Sequence, residues 1–219
     1  MEKPAGSHSK RFVKLEVASG AVVWEKRVCD GVLQHAVKVD ASLEAGAALS
    51  WDQKMVFVGC YDGCLYALRV SDGERVWTYA AGDAIKNAPL TRADDVVFGS
   101  HDRHVHCVGM DGLLKWRSEL DGAVFASPQP HDGHQCRIVA ATLAGSLYGL
   151  DGGGAIVWRW RGTSPIFGSP AIIGNKALFG CVDGTANAVH LDGRHDWGVL
   201  GTAAKNPNTQ RGIFAAACA

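Results

Sequence analysis

Three features of this 219-residue chain predict an all-β protein, a β-propeller of four-stranded blades. A tryptophan recurs five times, each four residues after a glycine: Gly20/Trp24, Gly73/Trp77, Gly112/Trp116, Gly154/Trp158 and Gly193/Trp197. Successive tryptophans stand 53, 39, 42 and 39 residues apart, and a fixed period near 40 is a repeat signature. Upstream of each of the last four runs a short apolar stretch, a small-residue turn and an alternating stretch, the pattern of a β-hairpin. No segment holds a sustained 3.6-residue period, so no long helix is expected.

Element by element, the hairpins cover Met55 to Leu68, Val96 to Val108, Ile138 to Leu150 and Ala177 to Val189. Asp62-Gly63 and Asp183-Gly184 turn two of them, because glycine accepts a positive φ without a Cβ clash. A second turn follows in each unit, at Ser19-Gly20, Asp72-Gly73, Asp111-Gly112, Gly152-Gly153-Gly154 and Asp192-Gly193. A third strand carries the tryptophan, as in Arg75-Val76-Trp77-Thr78-Tyr79. A fourth is predicted at Ile85 to Pro89, Phe125 to Pro128 and Phe167 to Pro170, where Pro128 and Pro170 end or edge it. Ile213 to Ala217 has the same shape without the proline. Four strands and three turns in about 40 residues describe one propeller blade.

The recurring residues read as architecture. An indole buries a large apolar area and needs one acceptor for its N–H, so once per blade it can wedge between adjacent sheets and bond to a neighbouring loop. The glycine four residues earlier keeps that loop tight. Residues that recur build the repeat, so chemistry is sought in what does not recur. The expected organisation is a non-blade N-terminus at 1–5 and a propeller at 6–218. Within the propeller a loop insertion is expected at about 30–40 and an exposed loop at about 203–211.

Composition narrows the function classes. Lys+Arg and Asp+Glu both number 22, giving a formal net charge of zero. A nucleic-acid or anionic-membrane surface needs a basic excess, so neither partner is expected. Near-neutral charge also gives little electrostatic protection against self-association. The polar N-terminus does not read as a signal peptide, and no apolar run approaches the ~18 residues that span a bilayer. Seven cysteines in no framework spacing point to reduced thiols and a cytoplasmic location.

Several clusters invite a chemical reading. His104 and His106 of His101-Asp102-Arg103-His104-Val105-His106 share one face of a strand, and imidazoles with a carboxylate can bind zinc. His101 falls where His8 falls in the first repeat, which favours a structural turn with exposed polar residues. His131-Asp132-Gly133-His134 reads as a loop. Cys60 and Cys181 both follow the repeat glycine, as small buried residues would rather than nucleophiles. Asp94-Asp95 reads as a solvated turn, and Gly152-Gly153-Gly154 as a turn in register with Asp-Gly elsewhere. No catalytic residue, metal site or cofactor site is expected.

Gly-x-x-x-Trp with a preceding hairpin and a following Ser-Pro resembles the pyrroloquinoline-quinone-like (PQQ-like) propeller repeat over roughly residues 6–218. That repeat is the tryptophan-docking unit of quinoprotein dehydrogenases and of a bacterial outer-membrane assembly lipoprotein. Four segments, taken with Gly6-Ser7-His8-Ser9, resemble successive blades in the C-terminal propeller of the β-alanine-activating enzyme family (acyl-CoA synthetase family member 4). They are Val58-Gly59-Cys60-Tyr61-Asp62-Gly63, Gly99-Ser100-His101-Asp102, Ala140-Ala141-Thr142-Leu143-Ala144-Gly145 and Gly180-Cys181-Val182-Asp183-Gly184.

The resemblance implies a parent with an adenylate-forming domain and a carrier domain that activates β-alanine with ATP. Neither domain's motifs occur in this chain. The implied role is a non-catalytic scaffold or interaction domain; the alternative is a quinoprotein-type oxidoreductase domain binding a quinone cofactor. Quinoproteins hold their cofactor over adjacent cysteines, whereas the closest pair here is Cys60 and Cys64. Five tryptophan units, where family propellers close with about seven, imply an incomplete ring. Its open faces predict self-association, or cover by a protein partner or by the remaining blades of a longer chain.

Overall fold

A computed structural model of the chain describes residues 11–16, 18–27, 45–132 and 137–200. β1 (Arg11–Leu15) and β2 (Val22–Arg27) pair as a two-stranded antiparallel sheet, the first blade. The second blade is β3 (Ala47–Leu49), β4 (Met55–Gly59), β5 (Cys64–Arg69) and β6 (Arg75–Ala80). The third is β7 (Leu90–Thr91), β8 (Asp95–Gly99), β9 (His104–Gly109) and β10 (Leu114–Glu119). The fourth is β11 (Gln129–Pro130), β12 (Ile138–Ala141), β13 (Ser146–Leu150) and β14 (Ile156–Arg161). The fifth is β15 (Ala171–Ile173), β16 (Lys176–Gly180), β17 (Thr185–His190) and β18 (His195–Leu200). Each four-stranded blade is a sequential antiparallel meander, and among the described residues the blades form no closed ring. Among the described residues no helix is long and apolar enough to cross a membrane.

The two middle strands of the second, third and fourth blades are buried on both faces, which explains why they read as near-continuous apolar runs. Alternate residues serve opposite interfaces. Val96, Phe98 and Val108 of the third blade pack with Phe57, Leu65 and Ala67 of the second. Val97, Val105 and Cys107 of the same strands face Ile138, Ala140 and Tyr148 of the fourth. Fully burying one such Phe or Leu contributes about 1.5–3 kcal/mol.

The predicted fourth strand needs correction. Ile85 to Pro89, Phe125 to Pro128 and Phe167 to Pro170 are irregular, and the short strand starts after each proline as the first strand of the next blade. Ile85, Val124 and Ile166 are apolar because they are fully buried, not because they lie in a ladder. Their N–H groups donate to the carbonyls of Cys60, Ser100 and Thr142, the last residues before the hairpin turns. The Ser-Pro serines link these connectors: Ala88 N–H donates to Ser127 Oγ at 2.9 Å, and Ser127 N–H to Ser169 Oγ at 2.9 Å. The segments at 1–5, 30–40 and 203–211, with His8, His134 and Ile213 to Ala217, lie outside the described residues.

Candidate functional site

All five tryptophans follow a β-bulge. Val23, Val76, Lys115, Val157 and Asp196 are the extra residues, each one position before its indole. A bulge adds local twist and re-aims the next side chain. The indole thereby reaches the turn glycine of the following blade. Trp24 meets Gly73, Trp77 meets Gly112, Trp116 meets Gly154, and Trp158 meets Gly193. Each of these glycines also has a positive φ, so its role is double. Trp24 Nε1 donates to Val70 O at 2.9 Å and Trp77 Nε1 to Met110 O at 2.8 Å, both carbonyls of the neighbouring turn. Trp158 differs: its Nε1 lies over Gly149 and is buried without a hydrogen-bond partner. At the two ends of the series, Gly20 meets nothing within 4 Å among the described residues, and Trp197 is 40% exposed.

A second recurring device ties the hairpin turns of the second and third blades to their own strands. Tyr66 OH donates to Asp62 Oδ2 at 2.6 Å in the second blade. His106 occupies the same register position in the third blade and bonds through Nε2 to Asp102 Oδ2 at 2.9 Å. In the fourth blade Ala144 replaces the turn carboxylate. Asp121 takes over, accepting from Thr142 Oγ1 at 2.9 Å, Ser146 Oγ at 2.6 Å and Arg159 at 2.6 Å.

These contacts shift the carboxylates. Burial alone would raise Asp102, but the His106 hydrogen bond and the Gly82 and His104 N–H groups hold it well below the usual range. Asp121 is lowered likewise: burial opposes, and the Ser146 and Thr142 hydroxyls and Arg159 prevail. A carboxylate with a depressed folded-state pKa stabilises the fold fully above the ordinary aspartate value of about 4, and loses that contribution as pH falls. The urea midpoint is therefore expected to drop below about pH 4, and Asp121→Asn to flatten that drop. Equal slopes for the variant and the native chain would contradict the assignment.

The positions that differ between blades converge on the hairpin-turn end. Tyr61, His101, Leu143 and Val182 stand one residue past the repeat Gly-small pair, and Lys86, Phe125 and Phe167 stand in the connectors facing them. Lys86 Nζ sits 4.1 Å above the Tyr61 ring. His101 tilts on Phe125 at 6.0 Å, and Phe125 meets Phe167 edge-on at 5.2 Å. Burial, with the charge of Lys86, lowers the His101 pKa. His101 Nε2 is buried with no hydrogen-bond partner. The result is one cation stacked on Tyr61 and a half-buried row of three rings, His101, Phe125 and Phe167. Sequence reading singled out His101 but missed Lys86, Phe125 and Phe167; comparing the connectors position by position is the signal that finds them.

Other sequence candidates fall into structural roles. Asp95 is buried rather than solvated, accepting from Arg92 Nε at 2.5 Å and from Lys115 at 3.1 Å. Cys181 is buried, and burial raises its pKa, as it raises Cys64 to about 11. Cys60 corrects the expectation of reduced thiols at that position: it is disulfide-bonded. Gly152 and Gly153 lie in the β13–β14 turn, where Asp151 Oδ1 accepts from the N–H groups of Gly153 and Ala155.

Four-stranded meanders latched by a tryptophan from each blade onto the next define a PQQ-like β-propeller. In the crystal structure of BamB from Moraxella catarrhalis the same fold recurs with a TM-score of 0.65, at 17% identity, over 82% of this chain and 53% of that one. The family described as β-alanine-activating enzyme, beta-propeller matches residues 4–219, and the chain belongs to that family. The β-alanine-activating enzyme of Drosophila melanogaster is 29% identical over 85% of this chain and 18% of its own length. Quinohemoprotein alcohol dehydrogenase ADH IIB of Pseudomonas putida is 28% identical over 68% of this chain and 23% of its own. The chain thus spans under a quarter of either relative.

Proposed function

We propose that this propeller is a non-catalytic scaffold and interaction domain of a β-alanine-activating-enzyme-like protein, working beside ATP-dependent activation chemistry located elsewhere. The observation that carries the reading is where the repeat varies. The recurring residues are used up in blade-to-blade latching, whereas Tyr61, Lys86, His101, Phe125 and Phe167 gather at one end. Aromatic rings around a cation are the composition of recognition surfaces. The partner that fits is a protein segment, or further blades of a longer chain laid against the outer sheets. Val13, Leu15, Val22 and Val23 are exposed on the first blade and Val199 on the fifth, and they offer apolar contact there.

The direct test is β-alanine-dependent ATP–pyrophosphate exchange with this chain alone. The expected rate is that of buffer. Exchange above background that requires both β-alanine and this chain would place activation chemistry in the propeller and end the scaffold reading.

A further inference from the structure

We propose that Asp102, His104 and His106 form a zinc-class metal site at the β8–β9 hairpin of the third blade. One ligand atom from each of the three residues lies within 4.8 Å of those of the other two. Two imidazole nitrogens and one carboxylate oxygen are the donor types that zinc takes, and three protein ligands leave a fourth position for water or another small ligand.

The outer atoms of the cluster are already arranged as a metal site requires. A ligating imidazole is oriented by an oxygen on its other ring nitrogen. His106 Nδ1 lies 3.0 Å from Tyr79 OH, which leaves Nε2 pointing at Asp102. His104 Nδ1 lies 2.9 Å from the backbone oxygen of Asp102 and 3.5 Å from its Oδ1. Asp102 is fixed in turn by the N–H groups of Gly82 and His104, at 2.9 Å and 3.0 Å. On metal binding the Nε2 proton of His106 leaves to water and Nδ1 takes one from water, so the ring's charge is unchanged. Nδ1–H then donates a hydrogen bond to the Tyr79 oxygen, and a hydroxyl serves as donor or acceptor.

The hairpin has more donor atoms than its structural task uses. In the second blade Tyr66 makes the same turn-to-strand bond with a phenol, and Cys64 stands where His104 stands. In the fifth blade Asn187 and Thr185 hold those places. Among the four-stranded blades described, the third alone sets two imidazoles there. It also keeps a left-handed residue with a side chain, Arg103 at φ 72°, where Gly63, Gly145 and Gly184 stand in the other hairpins. Arg103 is turned to Glu119 at 2.9 Å, so its charge is balanced away from the cluster. His106 is 1% exposed, whereas the side chains of Asp102 and His104 are 13% and 21% exposed, so a cation enters from the Asp102–His104 edge.

The test is cobalt(II) titration of the full chain after chelator dialysis, read by the visible absorption of low-coordinate cobalt. One saturable equivalent is expected. His104→Gln, on the partly exposed edge, should melt as the native chain does in chelator and bind at least ten-fold more weakly. His104→Cys should restore binding and add a thiolate-to-cobalt charge-transfer band, which no structural role of His104 can produce. No saturable uptake, unchanged affinity in His104→Gln, or a His104→Cys spectrum without that band would each overturn the site.

Discussion

Gly154→Ala is expected to lower the unfolding free energy by about 2–5 kcal/mol. Gly154 sits at φ 90°, where a side chain costs about 1–2 kcal/mol through contact with its own backbone. A Cβ there would also stand 2.4 Å from Trp116 Cε3 and 2.9 Å from Ser118 Oγ. That contact forces the indole off its seat, an overpacking penalty of about 1–3 kcal/mol. Gly20→Ala supplies the control, because Gly20 shares the positive φ but meets nothing within 4 Å among the described residues. It should cost only the backbone part. In a Trp116→Ala background, Gly154→Ala should fall to the cost of the control. Urea titration of the four variants decides the matter: additive losses at 116 and 154 would mean that glycine and indole do not act as one contact.

Asn87→Ala should cost about 3–5 kcal/mol, although it removes only a small polar side chain. Asn87 is 3% exposed in the connector between the second and third blades. Its Nδ2 donates to Gly99 O at 2.8 Å and Val124 O at 3.1 Å, and its Oδ1 accepts from Gly99 N–H at 3.1 Å. One amide thus satisfies three backbone groups, and alanine strands them in a dry interface. Each stranded group costs about 1–3 kcal/mol. The equivalent connectors carry Ala126 and Gly168, so the clamp is specific to this junction. A loss under about 1 kcal/mol by denaturant titration would mean that water reaches the site.

The period of the repeat, its hairpins and its turn glycines were legible because they depend on local spacing. The partner of each tryptophan was not. Glycine and tryptophan recur together, so spacing alone links Gly112 to Trp116, whereas the indole that covers Gly112 belongs to Trp77. The bulge before each tryptophan leaves no mark either, since Val76 and Lys115 are ordinary strand residues. Ile85 and Val124 misled because full burial and strand alternation look alike over four or five residues. At the metal cluster, alternation put His104 and His106 on one face, but Tyr79 and Gly82 arrive from the neighbouring blade and no local motif announces them.

The latch from indole to glycine has a direction. At the four indole–glycine junctions among the described residues the earlier blade reaches forward to the later one. Free energy of coupling is therefore exchanged between adjacent units along one axis, and a disturbance at one blade is felt at its neighbour before anywhere else. A change at the rim of one blade, away from its indole and turn glycine, therefore leaves the other joints as they were.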